Sequence, residues 1–337
     1  MKEALFYREI DAEKKTVQCE LCPHNCKLST GKTGICRCRQ NIDGKLTSLS
    51  YNTVISVNLD PVEKKPLYHF FPGKKVLSLG TFGCNFRCSF CQNWDISQVD
   101  YDKAQLQQMA PEEALLLNEK YKSIGIAYTY NEPLINYEWV LETSRLVNKS
   151  GYKNVLVTNG FINKEPLMKL LPYIDAANID VKSFNSGFYK KICSGNLESV
   201  LKTVELMVNK GKHVELTYLV IPEHNDFIPE VEAFLGWVNS MNPEIPVHFS
   251  RYYPQYRFNE PATPMATLKG IYEIAGKKLK YVYLGNVTES EFNSTYCPGC
   301  GSVLIKRTGY DTEITGMAEG FKCNKCNCRI NIANSKN

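Results

Sequence analysis

Between residues 76 and 284 the chain alternates short apolar runs with helix-length stretches, and no other feature restricts its fold as much. The runs at 76–81, 124–129, 154–158, 177–181, 213–221, 247–249 and 281–284 read as buried strands. Helices are expected between them, at about 111–122, 133–151, 165–171, 197–210, 228–239 and from 264 onward. Pro111 and Pro133 suit a first helical position, and Gly151 suits a C-terminal cap. Six or seven βα units in succession predict an α/β fold, a parallel sheet with helices outside it. An open doubly wound sheet and a partial barrel fit this pattern equally. In either, ligands bind at the C-terminal ends of the strands.

Fourteen cysteines accompany this core. Disulfide scaffolds are usually small and secreted, with cysteines spread along the chain. Here the cysteines form three tight groups plus the isolated Cys193, so metal binding is expected instead. The N-terminus carries acids and has no apolar signal core, and no apolar run approaches the ~18–20 residues of a membrane span. A cytoplasmic protein with no membrane association follows. A net charge of +5, dispersed along the chain, does not imply nucleic acid.

The middle group, Cys84, Cys88 and Cys91, follows the first strand in a C-x3-C-x2-C spacing, with Phe90 before the last cysteine. Three thiolates this close can hold three irons of a [4Fe–4S] cluster. Such a cluster ordinarily takes four cysteines, so one iron stays open to a ligand. Later strands deliver polar groups to the same end: Tyr130, Asn131 and Glu132, then Thr158-Asn159-Gly160, Asp180 and Lys182, Glu215 and Thr217, and His248 with Arg251. Strand ends are polar wherever they meet loops. Their ordered arrival behind a three-cysteine loop makes them candidates to grip a zwitterion and a ribose.

The spacing resembles the radical S-adenosylmethionine (SAM) enzymes, and the core at 75–284 is similar to the branch typified by the pyruvate formate-lyase activating enzyme. The resemblance implies a partial (β/α)6 TIM-like barrel. It also implies a SAM molecule chelated by the open iron, whose reductive cleavage gives a 5′-deoxyadenosyl radical. That branch carries Gly-Gly-Glu on its second strand. Here the segment is Tyr130-Asn131-Glu132, so the glutamate matches and both glycines are replaced. Its Thr-Asn-Gly matches Thr158-Asn159-Gly160, its Asp-x-Lys matches Asp180-Val181-Lys182, and its barrel histidine matches His248. Phe90, Tyr130, Asn131, Glu132, Thr158, Asp180, Lys182 and His248 are therefore the expected cofactor-binding residues. Thr217 falls where those relatives have arginine, which leaves Arg251 or Lys182 for the SAM carboxylate.

Over the whole chain, the run from Asp60 to Gly73, the N-terminal cysteine group and the Tyr296-Cys297-Pro298-Gly299-Cys300 segment resemble the AmmeMemoRadiSam-system radical SAM family. That resemblance implies Memo-type and AMMECR-type partner proteins. A flavodoxin or ferredoxin is the expected electron donor. Glu63, Lys64, Lys65 and His69 are candidates for substrate contact or for a solvated charged loop.

The outer cysteine groups read separately. Cys297-x2-Cys300 and Cys323-x2-Cys326 are two knuckles of a zinc ribbon, with Cys328 left over and an auxiliary Fe–S cluster as the alternative. Cys19, Cys22, Cys26 and Cys36 do not match a ferredoxin run and read as a structural zinc site, with His24 and Cys38 as spares. Cys193, after the fourth strand, is either an inert buried thiol or a catalytic residue on the substrate side. Expected modules are a Cys-rich lead-in at 1–74, the barrel at 75–290, and a zinc-ribbon-like module at 291–337. Residues 331–337 read as a frayed tail. The expected function is radical SAM chemistry on an unknown substrate. Activation of a glycyl-radical enzyme and a non-catalytic zinc and Fe–S protein are the alternatives.

Overall fold

The computed structural model describes residues 1–334. Its centre is an eight-stranded sheet. Strand β1 (Ser56–Pro61) runs antiparallel to β2 (Lys75–Gly80). The rest follow in chain order and all parallel: β3 (Gly125–Tyr128), β4 (Lys153–Thr158), β5 (Ala176–Asp180), β6 (His213–Val220), β7 (Val247–Arg251) and β8 (Val282–Gly285). A doubly wound sheet needs a reversal of strand order, and there is none. Sequential parallel strands with right-handed crossovers wind one way and put every helix on one face.

The helices are α1 (Pro111–Lys120), α2 (Tyr137–Lys149), α3 (Lys164–Leu170), α4 (Leu197–Asn209), α5 (Ile228–Met241) and α6 (Met265–Gly276). Local chemistry sets their ends. Pro111 opens α1, where Glu113 accepts the Ala110 N–H at 2.6 Å. Asn196 caps α4 by accepting the Ser199 N–H at 2.9 Å. Pro133 opens only a 3-10 turn (Pro133–Asn136) ahead of α2. Strand residues of one parity, such as Leu77, Ile126, Leu156, Ile179, Leu216 and Phe249, pack with Val140, Val147, Val200, Val204 and Leu235 of the helices in one buried core. Fully burying each such side chain is worth about 1.5–3 kcal/mol.

Residues of the other parity line the inner face, which is filled from one end by the segment 62–73. Val62, Leu67, Phe70 and Phe71 bury themselves against Val76, Ala127, Val155 and Ala176 near the strand starts. Glu63, Lys65 and His69 are almost fully buried, so the expectation of a solvated charged loop is wrong. The charges are tolerated because they are partnered. Glu63 accepts the Gly73 N–H at 2.8 Å, Lys65 meets Asp60 at 2.7 Å, and His69 meets Tyr283 Oη at 2.6 Å and Asn331 O at 2.8 Å.

The last described residues seal the same end. Ala333 pairs with Phe70, accepting the Phe71 N–H and donating to His69 O, both at 2.8 Å, and Ile332 is buried. The frayed tail expected from 331 is therefore anchored as far as 333, while 335–337 lie outside the described residues. The C-terminal module adds the antiparallel strands Thr295–Tyr296, Val303–Thr308 and Asp311–Ile314. Arg307, fully buried, ties it to the 62–73 segment by donating to Tyr68 O at 2.7 Å, with its guanidinium 4.2 Å above the Tyr68 ring. The N-terminal residues form two small antiparallel sheets, Lys2–Glu3/Lys45–Ser48/Arg39–Ile42 and Tyr7–Asp11/Thr16–Cys19/Lys27–Leu28. No helix among the described residues is long and apolar enough to cross a membrane.

Candidate active site

Strand β2 ends at Gly80, and the chain passes straight into the loop that carries Cys84, Cys88 and Cys91. The end of β3 holds this loop. Asn131 accepts the Thr81 N–H at 3.1 Å and donates to Phe82 O at 3.0 Å and Gly83 O at 2.8 Å. In return, Asn93 donates to Tyr130 O at 2.7 Å. Tyr130 takes a left-handed φ of +72°, unusual for a bulky residue and a mark of local strain. A Cβ at Gly80 would stand 2.8 Å from the Tyr130 ring, so glycine is required there.

Glu132 is buried and fully engaged. Its carboxylate accepts from Thr158 Oγ1 and the Asn159 N–H, each at 2.7 Å, and from the Leu134 N–H at 3.0 Å. Burial pushes its pKa up to about 7, against the pull of these three donors. Glu132 thereby fixes the end of β4, where Asn159 donates to Asn85 Oδ1 at 2.8 Å and points at Cys84 Sγ from 3.7 Å. The Phe86 N–H lies 3.3 Å from the same sulfur, and Ser97 Oγ lies 3.1 Å from Cys91 Sγ.

The end of β5 supplies charge. Lys182 Nζ lies 2.7 Å from Asp180. Burial works against the lysine's charge, but Asp180 and the nearby Cys88 outweigh it and hold its pKa above the ordinary value. Cys193 closes a helical turn (Tyr189–Cys193) behind the loop. It is fully buried, its carbonyl accepts the Arg87 N–H at 2.8 Å, and its thiol, with burial, pushes the Cys88 thiol well above its ordinary pKa. Phe90 is buried between Phe188 and Phe258, at ring separations of 5.9 and 6.2 Å.

His248 is placed elsewhere. It lies 2.7 Å from Glu215, stacks on Tyr283 and meets the edge of Tyr68. Glu215 also accepts the Tyr68 and His69 N–H groups at 2.9 and 2.7 Å, so it supports segment 62–73 rather than an open site. Thr217 donates to Asn178 at 2.9 Å, and Arg251 is occupied by Thr263 O at 2.8 Å.

Among the described residues, the only set of three or more possible metal ligands with all ligand atoms within 4.8 Å of one another is Cys297, Cys300, Cys323 and Cys326. Cys84, Cys88 and Cys91 do not all lie within that distance of one another. Burial, with Glu132 nearby, pushes the Cys84 thiol up, so metal binding there must displace protons.

The sequence pattern of the Radical SAM superfamily matches residues 78–235, which span this loop and the strand ends around it. The uncharacterized protein MJ0808 of Methanocaldococcus jannaschii is 44% identical over 98% of this chain and 99% of its own. The chain belongs to the radical SAM superfamily. It is a radical SAM enzyme, and membership implies a [4Fe–4S] cluster, SAM, a substrate and an electron donor. The non-catalytic alternative does not stand. The pyruvate formate-lyase 1-activating enzyme of Escherichia coli (strain K12) is 25% identical over 43% of this chain and 60% of that one. SuiB of Streptococcus suis bound to S-adenosylmethionine has the same fold at TM-score 0.50 and 13% identity, over 67% of this chain and 53% of that one.

In this radical SAM enzyme the C-terminal thiols approach closely, with Cys297 and Cys326 3.4 Å apart and Cys300 and Cys323 3.7 Å apart. Tetrahedral bonds of about 2.3 Å to one zinc put sulfurs at about that separation. Sequence reasoning missed Asn85, Asn93, Ser97 and Asn159 as loop supports. Asn85 and Asn93 stand beside the cysteines in the sequence, which was the available signal.

Proposed function

We propose that Cys84, Cys88 and Cys91 hold three irons of the [4Fe–4S] cluster, and that SAM binds the fourth iron with Asp180 and Lys182 beside its amino and carboxylate groups. The observation that carries this is the Asp180–Lys182 pair, 2.7 Å apart and within electrostatic reach of Cys88. Bound together, cluster and SAM supply abstraction of a hydrogen atom from carbon. The chain's own residues prepare that step. Asn131 and Asn159 fix the loop. Glu132 fixes Thr158 and Asn159. Phe86, Phe90 and Phe188 keep water from the cysteines, and Cys193 supports Cys88 from behind. Tyr130 shapes the rim, and His248 steadies the barrel interior through Glu215.

The finer reading keeps three modules, at 1–74, 75–290 and 291–337, with zinc on Cys297, Cys300, Cys323 and Cys326. It keeps the AmmeMemoRadiSam assignment, with Memo-type and AMMECR-type partners and a flavodoxin or ferredoxin as donor, in the cytoplasm. The relationship to the E. coli activating enzyme favours a second reading, in which the substrate is a glycine of a partner enzyme. The radical doublet that such a glycine gives in electron paramagnetic resonance (EPR) separates the two.

Lys182→Met tests the binding role. With iron content unchanged, the variant should bind SAM about tenfold more weakly, or about 1.4 kcal/mol, in equilibrium dialysis of the anaerobic holoprotein. Equal affinity would remove Lys182 from the site.

A further inference from the structure

Cys19, Cys22, Cys26 and Cys36 line one small cavity in the N-terminal region. Leu21, Leu28, Ile35 and Ile135 supply apolar wall, and His24 and Arg39 complete it. We propose that this cavity holds a second iron–sulfur cluster, ligated by these four thiolates, rather than the structural zinc that their spacing suggests.

Size decides between the two. Four thiolates on one zinc stand about 3.8 Å apart, as bonds of about 2.3 Å in a tetrahedron require, and leave no space between them. The C-terminal knuckles meet that condition, with sulfur separations of 3.4 and 3.7 Å. The N-terminal thiols do not. No three of them lie within 4.8 Å of one another, and the space between them admits a water-sized sphere. Four cysteines are the ordinary complement of a [4Fe–4S] cluster. Cys38 is not a competing ligand, because its thiol is engaged with Phe82 O at 3.0 Å and Cys36 O at 3.3 Å.

A second observation points to an anionic occupant. Arg39 lines the same cavity and is 1% exposed. Its Nη2 donates to Leu5 O at 2.8 Å and pairs with Glu138, while its Nε and Nη1 have no hydrogen-bond partner among the described residues. Buried guanidinium donors left unpaired are costly. A tetrathiolate cluster carries net negative charge and has sulfurs able to accept from both. The cavity also abuts the first cluster's loop, since His24, in its wall, lies 2.7 Å from Asn85 O.

The test is anaerobic reconstitution of the full chain with iron and sulfide, followed by metal analysis, Mössbauer spectroscopy and EPR after dithionite. The wild type should hold about eight irons and eight sulfides per chain, all in [4Fe–4S] form. The triple variant C84A/C88A/C91A should keep about four of each and a reduced-cluster EPR signal indifferent to SAM. Adding C19A/C22A should remove them. A triple variant that holds zinc but no iron overturns the proposal. Because the triple variant lacks the SAM-binding cluster, this result is independent of whether the first loop does radical chemistry.

Discussion

Tyr130 and Asn131 replace the two glycines that related enzymes carry before the glutamate. Tyr130 reaches a glycine-like φ of +72° while its hydroxyl bonds to Asp60 and its ring lies under Lys65 Nζ at 4.3 Å. Those contacts offset the strain. Asn131 supplies three hydrogen bonds to the cysteine loop, which glycine cannot do. The sequence showed which polar residues arrive at this strand end. It did not show that Glu132 is exhausted by Thr158, Asn159 and Leu134, because those donors are set by the packing of β4 on β3. Asn131→Ala orphans one N–H and two carbonyls, at about 1–3 kcal/mol in all if water reaches part of the gap. The variant should lose stability to urea by that amount and retain less iron after desalting. Unchanged iron retention would show that the loop holds itself.

At the scale of elements, the seven parallel strands were legible to within a residue or two, because buried apolar runs declare themselves. Strand β1 was not, since Ser56–Pro61 is only half-buried and its pairing depends on β2, beyond segment 62–73. That segment looked solvated because its charges are visible in sequence and their partners, Asp60, Arg307, Tyr283 and Glu215, are scattered from 60 to 307. The same segment makes the fold acid-sensitive. Burial holds His69 at about 4, against about 6.5 unfolded, so the unfolded chain takes a proton between those values and the folded chain does not. His69 therefore contributes stability that is present above pH 6.5 and lost as pH falls toward 4, about 2 kcal/mol by pH 5. Glu132, raised to about 7, works in the opposite direction. The His69 contribution is thus read as a difference. The stability gap between wild type and His69→Gln should narrow by about 2 kcal/mol from pH 7.5 to pH 5 in urea denaturation. A gap independent of pH would mean that His69 titrates normally.

Across the whole molecule, the sequential sheet puts every βα loop at one end and leaves the other to be closed. The segment 62–73 and the C-terminal module close it, with Arg307, Tyr68 and Tyr283 at their junction. The N-terminal module instead packs at the open end. A Cβ at Gly83 would collide with Cys36 O at 2.3 Å and Cys38 Sγ at 2.5 Å, so only glycine lets this module reach the cysteine loop. The choice between winding patterns could not be made from periodicity, because helices alternate with strands in both. Three cysteine groups were visible at once, but their different widths were not, since spacing along the chain does not fix separation in space. In the proposed function, the loop at Cys84, Cys88 and Cys91 turns SAM chemistry on. Its most direct test is chromatographic measurement of 5′-deoxyadenosine from anaerobic, reconstituted, dithionite-reduced protein given SAM. The wild type should form it and Cys88→Ala should form none; equal product from the variant would contradict the account.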